Sequence, residues 1–346
     1  MNATSDGAGS VARHVPLLAT TRGFAGAGIA ECVQYGSIAV VDPTGRLMAG
    51  AGDTGALQFA RSTLKPVQAL PFVQDGGPAR YGFGSHELAM MCASHSGETV
   101  HLGLVRAMLA RIGARPSDLQ CGAQIPGFYE ATGQARPPRL QPSVLCHNCS
   151  GKHSGFLAYC RLHGHRLEGY LDPDGPLQLR VRNAVQSCGG CGSEIVCGID
   201  GCNAPNFALP LHRLARIYAR LATDADPALR ALFYAMTRHP DLVSGTGRTD
   251  LALMQTGCGD WVSKVGADGL QAIGVRSRGL GIVVRVASGN PWATYVAAVE
   301  VLHQVGLLDR PEATALAPAF RPAVRNASGR QTGRTLPLFE LPRLLA

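Results

Sequence analysis

The chain reads as strand at both ends and helix in the middle, and that order restricts its fold more than any single residue does. Residues 30–52, AECVQYGSIAVVDPTGRLMAGAG, place alternating and β-branched side chains on either side of Asp42-Pro43-Thr44-Gly45. Such a run broken by a turn-forming tetrapeptide predicts a β-hairpin. Strand patterning returns after residue 258, in WVSKVGADGLQAIGV and GLGIVVRVAS. Between about 85 and 235, HLGLVRAMLARIG, SGFLAYCRLHG, LQLRVRNAVQS and LHRLARIYARLA repeat apolar residues at the helical spacing. A last helix, PWATYVAAVEVLHQVG, opens with Pro291 after Asn290, suitable helix-start chemistry. The expectation is an α/β (α+β) fold, one antiparallel sheet from both termini flanked by helices, with a largely helical insertion. In residue terms this gives a tail over 1–14 and one composite catalytic domain over 15–326. That domain divides into a sheet lobe (15–72 and 255–326) and a helical lobe (73–254), with 327–346 as a peripheral segment.

Composition narrows the function classes. With 46% hydrophobic and 16% charged residues in 346, the chain can bury a large core and is not disordered. The net charge of +8 comes from scattered arginines, not from a dense basic stripe with interleaved aromatics, so no nucleic-acid partner is expected. No apolar run reaches the ~18 residues that span a bilayer, so no membrane partner is expected either. The start, MNATSDGAGSVARHVPLLATT, lacks the basic and apolar regions of a secretion signal, which makes the cytoplasm the expected compartment. Eleven cysteines, most of them within 146–202, then suggest reduced thiols or metal ligands.

In FARSTLKPVQALPF, Lys65 follows Ser62 by three residues at the head of an apolar, helix-forming stretch. A serine hydroxyl attacks poorly until a base takes its proton. Helical spacing of three puts amine and hydroxyl on one face. To act as base Lys65 must be neutral, which means lowering its pKa by roughly three units, about 4 kcal/mol. Burial or a second nearby cation does this. Alone, the motif equally describes a capping serine and a snorkelling lysine. CASHSGE (92–98) adds Ser94 and Ser96, and WVSKVGADG (261–269) adds Lys264 on a strand, with Gly266 leaving its edge open to a substrate. The order of these three motifs resembles that of the penicillin-recognising serine hydrolases and related glutaminases.

The cysteines carry a competing signal. CHNC (146–149) and CGGC (188–191) have the spacing of a zinc ribbon. Helical segments between them and the nearby Cys197 and Cys202 count against it, and His147, Lys152 and His153 leave the ligand set open.

RSTLKPVQ, ASHSGE, HNCSGKHSGFL, DGCNAPNFALPL, GRTDLALM and KVGADG, co-linear over 61–269, together resemble the L-asparaginase II family of the rhizobial, zinc-containing serine-lysine type. The resemblance spans about 15–325. It implies a fold akin to serine β-lactamases and glutaminases, a homodimer, and hydrolysis of L-asparagine to L-aspartate and ammonia. It further implies two Ser–Lys pairs in one site, Ser62 with Lys65 and Ser94 with Lys264, each lysine lowering the other's proton affinity. In the implied mechanism neutral Lys65 deprotonates Ser62 for attack, while Ser94 and Lys264 relay a proton to departing ammonia. The implied zinc ligands are Cys149, Lys152 and Cys202, with Asp200 beside the metal or facing substrate. The additional cysteines Cys146, Cys188, Cys191 and Cys197 depart from that pattern. Arg248 of GRTD is a candidate for gripping the substrate α-carboxylate, which suits a guanidinium fork. A glutaminase or other small-amide serine hydrolase is the alternative, since one methylene is worth only ~1–3 kcal/mol of discrimination. A non-catalytic zinc-ribbon module is a more distant one.

Overall fold

A computed structural model describes residues 12–23, 28–223 and 226–344. Of the tail expected over 1–14, residues 1–11 lie outside the described residues. The strands are β1 (Val15–Arg22), β2 (Ile29–Val41), β3 (Leu47–Ala51), β4 (Leu57–Phe59), β5 (Cys197–Ile199), β6 (Pro205–Pro210), β7 (Trp261–Gly266), β8 (Leu270–Val275), β9 (Leu280–Val286), β10 (Ala323–Arg325) and β11 (Gln331–Pro337). Eight of them form one antiparallel sheet, in the order β10-β11-β1-β2-β9-β8-β7 with β3 paired to β2. The expected hairpin is β2–β3. Its turn is held by Asp42, whose Oδ1 accepts from the Thr44 and Arg46 amides, and by Gly45 at φ 93°.

Residues 331–337 correct the sequence reading of 327–346 as peripheral. They form β11, which pairs with β1 from Leu18↔Pro337 to Arg22↔Gly333. This strand is mostly half-buried, so the inside–outside alternation that reveals a strand in sequence is weak there.

Alternation along the central strands explains the layers. Ile38, Val40, Ile273, Val275, Ile282 and Val284 face one way and pack with the helix Pro291–Gln304. Ala39, Val41, Ala272 and Val283 face the other way, toward the helix Leu211–Ala222. A Cβ at Gly281 would sit 1.8 Å from the Ala215 carbonyl oxygen, and one at Gly274 would sit 2.5 Å from that of Tyr218. Small residues thus let that helix lie directly on β8 and β9. Each fully buried Val, Leu, Ile or Phe contributes about 1.5–3 kcal/mol, and these two faces bury dozens.

The helical lobe surrounds the helix Lys65–Gln74, whose residues from Lys65 to Phe72 are all buried. Helices Ser150–Leu162, Pro176–Gly189 and Pro227–Arg238 enclose it. A second, three-stranded sheet of order β4-β6-β5 joins this lobe to the start of that helix, where the Ala60 amide donates to Phe207 O at 3.0 Å. The chain after Cys202 is thereby carried against Arg61 and Ser62. Among the described residues no helix is long and apolar enough to cross a membrane.

Candidate active site

Ser62 lies in a short 3-10 turn, Arg61–Leu64, and the α-helix begins only at Lys65. Arg61 is left-handed, at φ 53°. Its amide donates to Asn206 Oδ1 at 3.0 Å, and its guanidinium pairs with Asp200 at 3.3 Å and Asp268 at 3.4 Å. A non-glycine residue held this way costs on the order of 1–3 kcal/mol, and such strain clusters at functional sites.

Lys65 is wholly buried, and its Nζ donates to Ala93 O at 2.6 Å and to Ser94 Oγ at 2.8 Å. The hydroxyl it engages is therefore Ser94, not Ser62, a change from the pairing implied by the family resemblance. The 3-10 geometry before the helix removes the shared α-helical face that an i, i+3 argument assumes. Ser94 is placed by backbone bonds that lace its loop to two neighbours. Its amide donates to Val243 O at 2.9 Å, the His95 amide to Asn148 O at 3.2 Å, and the Ser96 amide to Ser244 O at 2.9 Å. Ser96 Oγ donates to Glu98 Oε1 at 2.6 Å, so this second serine holds the turn.

Lys264, also wholly buried, is bound to a carboxylate rather than to Ser94. Its Nζ donates to Asp250 Oδ2 at 3.2 Å and to Val265 O at 3.1 Å. Asp250 accepts in addition from the Val265 amide at 2.8 Å, Ser263 Oγ at 2.9 Å and Gln271 Nε2 at 2.9 Å. Burial opposes its ionisation, but the Lys264 charge and these donors hold its carboxyl below the usual range. Burial pushes the Lys264 ammonium down to about 8, the charges of Lys65 and Arg248 push the same way, and Asp250 resists. Asp250 is the residue that sequence reasoning missed. It stood in the quoted GRTDLALM, and the signal was a carboxylate at the head of an apolar helix, Thr249–Thr256. β7 lies against the Ser62 turn, since a Cβ at Gly266 would meet Thr63 Cγ2 at 3.2 Å.

The residues implied as metal ligands do come together. Lys152 Nζ donates to Cys202 Sγ at 3.0 Å, in a pocket where Cys149, Lys152 and Cys202 are all buried. A hydrogen bond from Cys202, with burial opposing it and the charges of Lys65 and Lys152 helping, lowers the Cys149 thiol well below its ordinary range. The same bond, with burial, raises Cys202. Lys152 is raised despite its burial, because both sulfurs and Asp200 favour its charge. Asp200 Oδ2 stands 3.9 Å from Cys202 Sγ while Oδ1 faces Arg61. Two sulfurs and an amine form a donor set suited to zinc, and the buried His153, on the same helix, lies beside Cys202. Among the described residues no three of His, Cys, Asp and Glu converge as a metal-binding group, so the four-cysteine ribbon does not form. All eleven cysteines are unpaired.

Next to Ser94 opens a cavity of about 260 Å³ lined by His95, Gln124, Ile125, Gly127, Glu130, Asn148 and Arg248. Burial lowers the His95 imidazole well below its ordinary range, so it is neutral. Its Nδ1 accepts from the Gly97 amide at 3.1 Å, leaving Nε2–H to donate to Ser150 Oγ at 2.8 Å.

Among solved structures the chain is similar to Mglu, at TM-score 0.44 and 16% identity, covering 79% of this chain and 68% of that one. It is also similar to a β-lactamase from Mycobacterium bovis, at TM-score 0.33 and 16% identity, covering 77% and 93%. No curated protein matches the sequence. The family model described as L-asparaginase II matches residues 20–337, nearly the whole chain. The chain therefore belongs to the L-asparaginase II family and is an asparaginase-type amidohydrolase.

Proposed function

We propose that this protein hydrolyses the side-chain amide of L-asparagine to L-aspartate and ammonia, with a serine nucleophile activated by lysine. One observation carries the reading: the buried Lys65 amine lies 2.8 Å from Ser94 Oγ and bears on Lys264, whose own proton affinity falls to about 8. Both lysines and Ser94 are buried, and the charge of Lys65 opposes that of Lys264.

Ser62 is the attacking residue in this reading. It is half-buried where Ser94 is nearly sealed, and it follows the strained Arg61. Lys65, through the Ser94 hydroxyl that it engages, takes the Ser62 proton as Oγ bonds to the amide carbon. The developing oxyanion is held by backbone amides of the Ser62 turn and of β7. Lys65, through Ser94, returns the proton to nitrogen as the C–N bond breaks and ammonia leaves. Water, deprotonated along the same route, then opens the acyl ester to give aspartate and restores the serine. Lys264, fixed on Asp250, supplies the second charge of the site. Zinc, implied by the family resemblance, would be held by Cys149, Lys152 and Cys202, and when bound it supplies positive charge that assists substrate binding.

The test is ammonia release from asparagine and glutamine by the wild type and by Ser62→Ala, Ser94→Ala and Lys65→Ala, with mass spectrometry of the trapped acyl-enzyme. An acyl group on Ser62 is expected. Wild-type turnover in all three folded variants would refute the mechanism.

A further inference from the structure

Two opposite charges line the 260 Å³ cavity beside Ser94, Arg248 and Glu130. Several buried or half-buried charges elsewhere are spent on neighbours: Arg61 on Asp200 and Asp268, Arg111 on Glu87, Arg321 on Glu300, Lys264 on Asp250. Among the described residues, by contrast, neither Arg248 nor Glu130 has an ion-pair or side-chain hydrogen-bond partner. They face the same small space without pairing to each other. Around them the lining is neutral and partly committed. Gln124 Oε1 accepts from the Asn148 amide at 3.0 Å, Asn148 Oδ1 accepts from Cys149 Sγ at 3.0 Å, and both His95 nitrogens are engaged. The charged groups of the cavity are one guanidinium and one carboxylate, set beside the side-chain amides of Gln124 and Asn148.

A ligand that satisfies both carries a carboxylate and an ammonium a few ångströms apart. We propose that this cavity holds the α-amino acid end of the substrate, with Glu130 taking the α-ammonium while Arg248 takes the α-carboxylate. The inference rests on the amidohydrolase reading above and adds to it the residues that hold the α-amino acid end. Its position fits that use. Ser94 immediately precedes His95 of the lining, and a Cβ at Gly127 would come within 3.8 Å of Arg248 Nη1 and 3.9 Å of the Ser96 backbone. Gly127 thus lies between the guanidinium and the serine loop, within contact distance of both. Glu130 sits at the exposed rim, on the short helix Phe128–Thr132, where an incoming zwitterion meets it first.

The test compares asparagine with succinamate, which keeps the carboxylate and the amide but has hydrogen in place of the α-ammonium. Steady-state kcat/KM is measured for both amides with the full-length protein, Glu130→Gln and Arg248→Ala. Where succinamate is not turned over, its inhibition constant against asparagine replaces its kcat/KM. A charge-assisted hydrogen bond lost to asparagine alone lowers the asparagine-to-succinamate ratio in Glu130→Gln by roughly tenfold. Arg248→Ala weakens both and keeps their ratio. An unchanged ratio in Glu130→Gln, whether both amides suffer or neither does, overturns the assignment of Glu130. A wild-type protein that processes neither asparagine nor glutamine sinks the amidohydrolase reading, and this inference with it, so the two failures are told apart.

Discussion

The sheet side and the helical side of the site each bury one lysine completely, and the two are driven in opposite directions. On β7, Lys264 meets a single carboxylate and two other cations, and its proton affinity falls to about 8. On the helix Ser150–Leu162, Lys152 meets two sulfurs and Asp200, and its proton is held more tightly than usual. Desolvation acts against both charges. What separates them is the count of neighbouring charge: cations outnumber anions around Lys264, and sulfurs dominate around Lys152. Lys65 lies between, adding its charge to both neighbourhoods.

The largest effect should come from removing that shared residue. Lys65→Met is expected to lower ammonia release from asparagine by about 10²–10⁴-fold, the usual worth of a positioned general base. Steady-state assays on folded protein check it, and turnover within a factor of two of wild type would break the comparison at its centre.

Next in size is the anchor of the sheet-side lysine. Asp250→Ala leaves a buried ammonium uncompensated and strips partners from Ser263, Gln271 and the Val265 amide. The expected loss in denaturant unfolding is about 3–5 kcal/mol. A loss under 1 kcal/mol would mean that Lys264 is neutral at the working pH even with Asp250 present.

Asp250 also shows how far the sequence could be read. The β2–β3 hairpin, the central helices and the late strands were legible because alternation and helical period survive wherever one face is buried. The cluster of Cys149, Lys152 and Cys202 was reachable only through family resemblance, since their approach depends on β6 carrying residues 202–210 back to Ala60. The partners of the lysines were not legible. The turn at 61–64 is 3-10 rather than α, and that choice is made by Asn206 and two distant aspartates. Strand β11 was hidden because a half-buried strand near a sheet edge leaves no clean period.

A smaller, directional effect lies in pH. Lys264 releases its proton at about 8 in the folded chain, against an ordinary 10.5 when unfolded. Between those values the unfolded state binds more protons, so this group's contribution to stability rises with pH across that window. Below about 8 its full cost is present. Because Lys264 supplies positive charge to the site, its deprotonation costs rate, and kcat falls with an apparent pKa near 8. Asp250→Asn removes the charge that resists deprotonation and should move that limb to lower pH. A limb that stays in place, or moves upward, would detach Lys264 from the rate.

The smallest effect is a count of protons, and it interrogates the helical side. If zinc binds through Lys152, the amine must first give up the proton that the sulfurs favour. Zinc titration by calorimetry, repeated in buffers of different ionisation enthalpy, gives the protons released per metal. Lys152→Met should release about one fewer than wild type, while cooperative unfolding of the apo-protein remains, because the apolar surface buried around the site is large. An equal count in both proteins would show that Lys152 keeps its proton and that the nitrogen ligand is another residue. The contrast between the two lysines would then be one of fixed charge on the helical side and movable charge on the sheet side, with Lys65 still joining them.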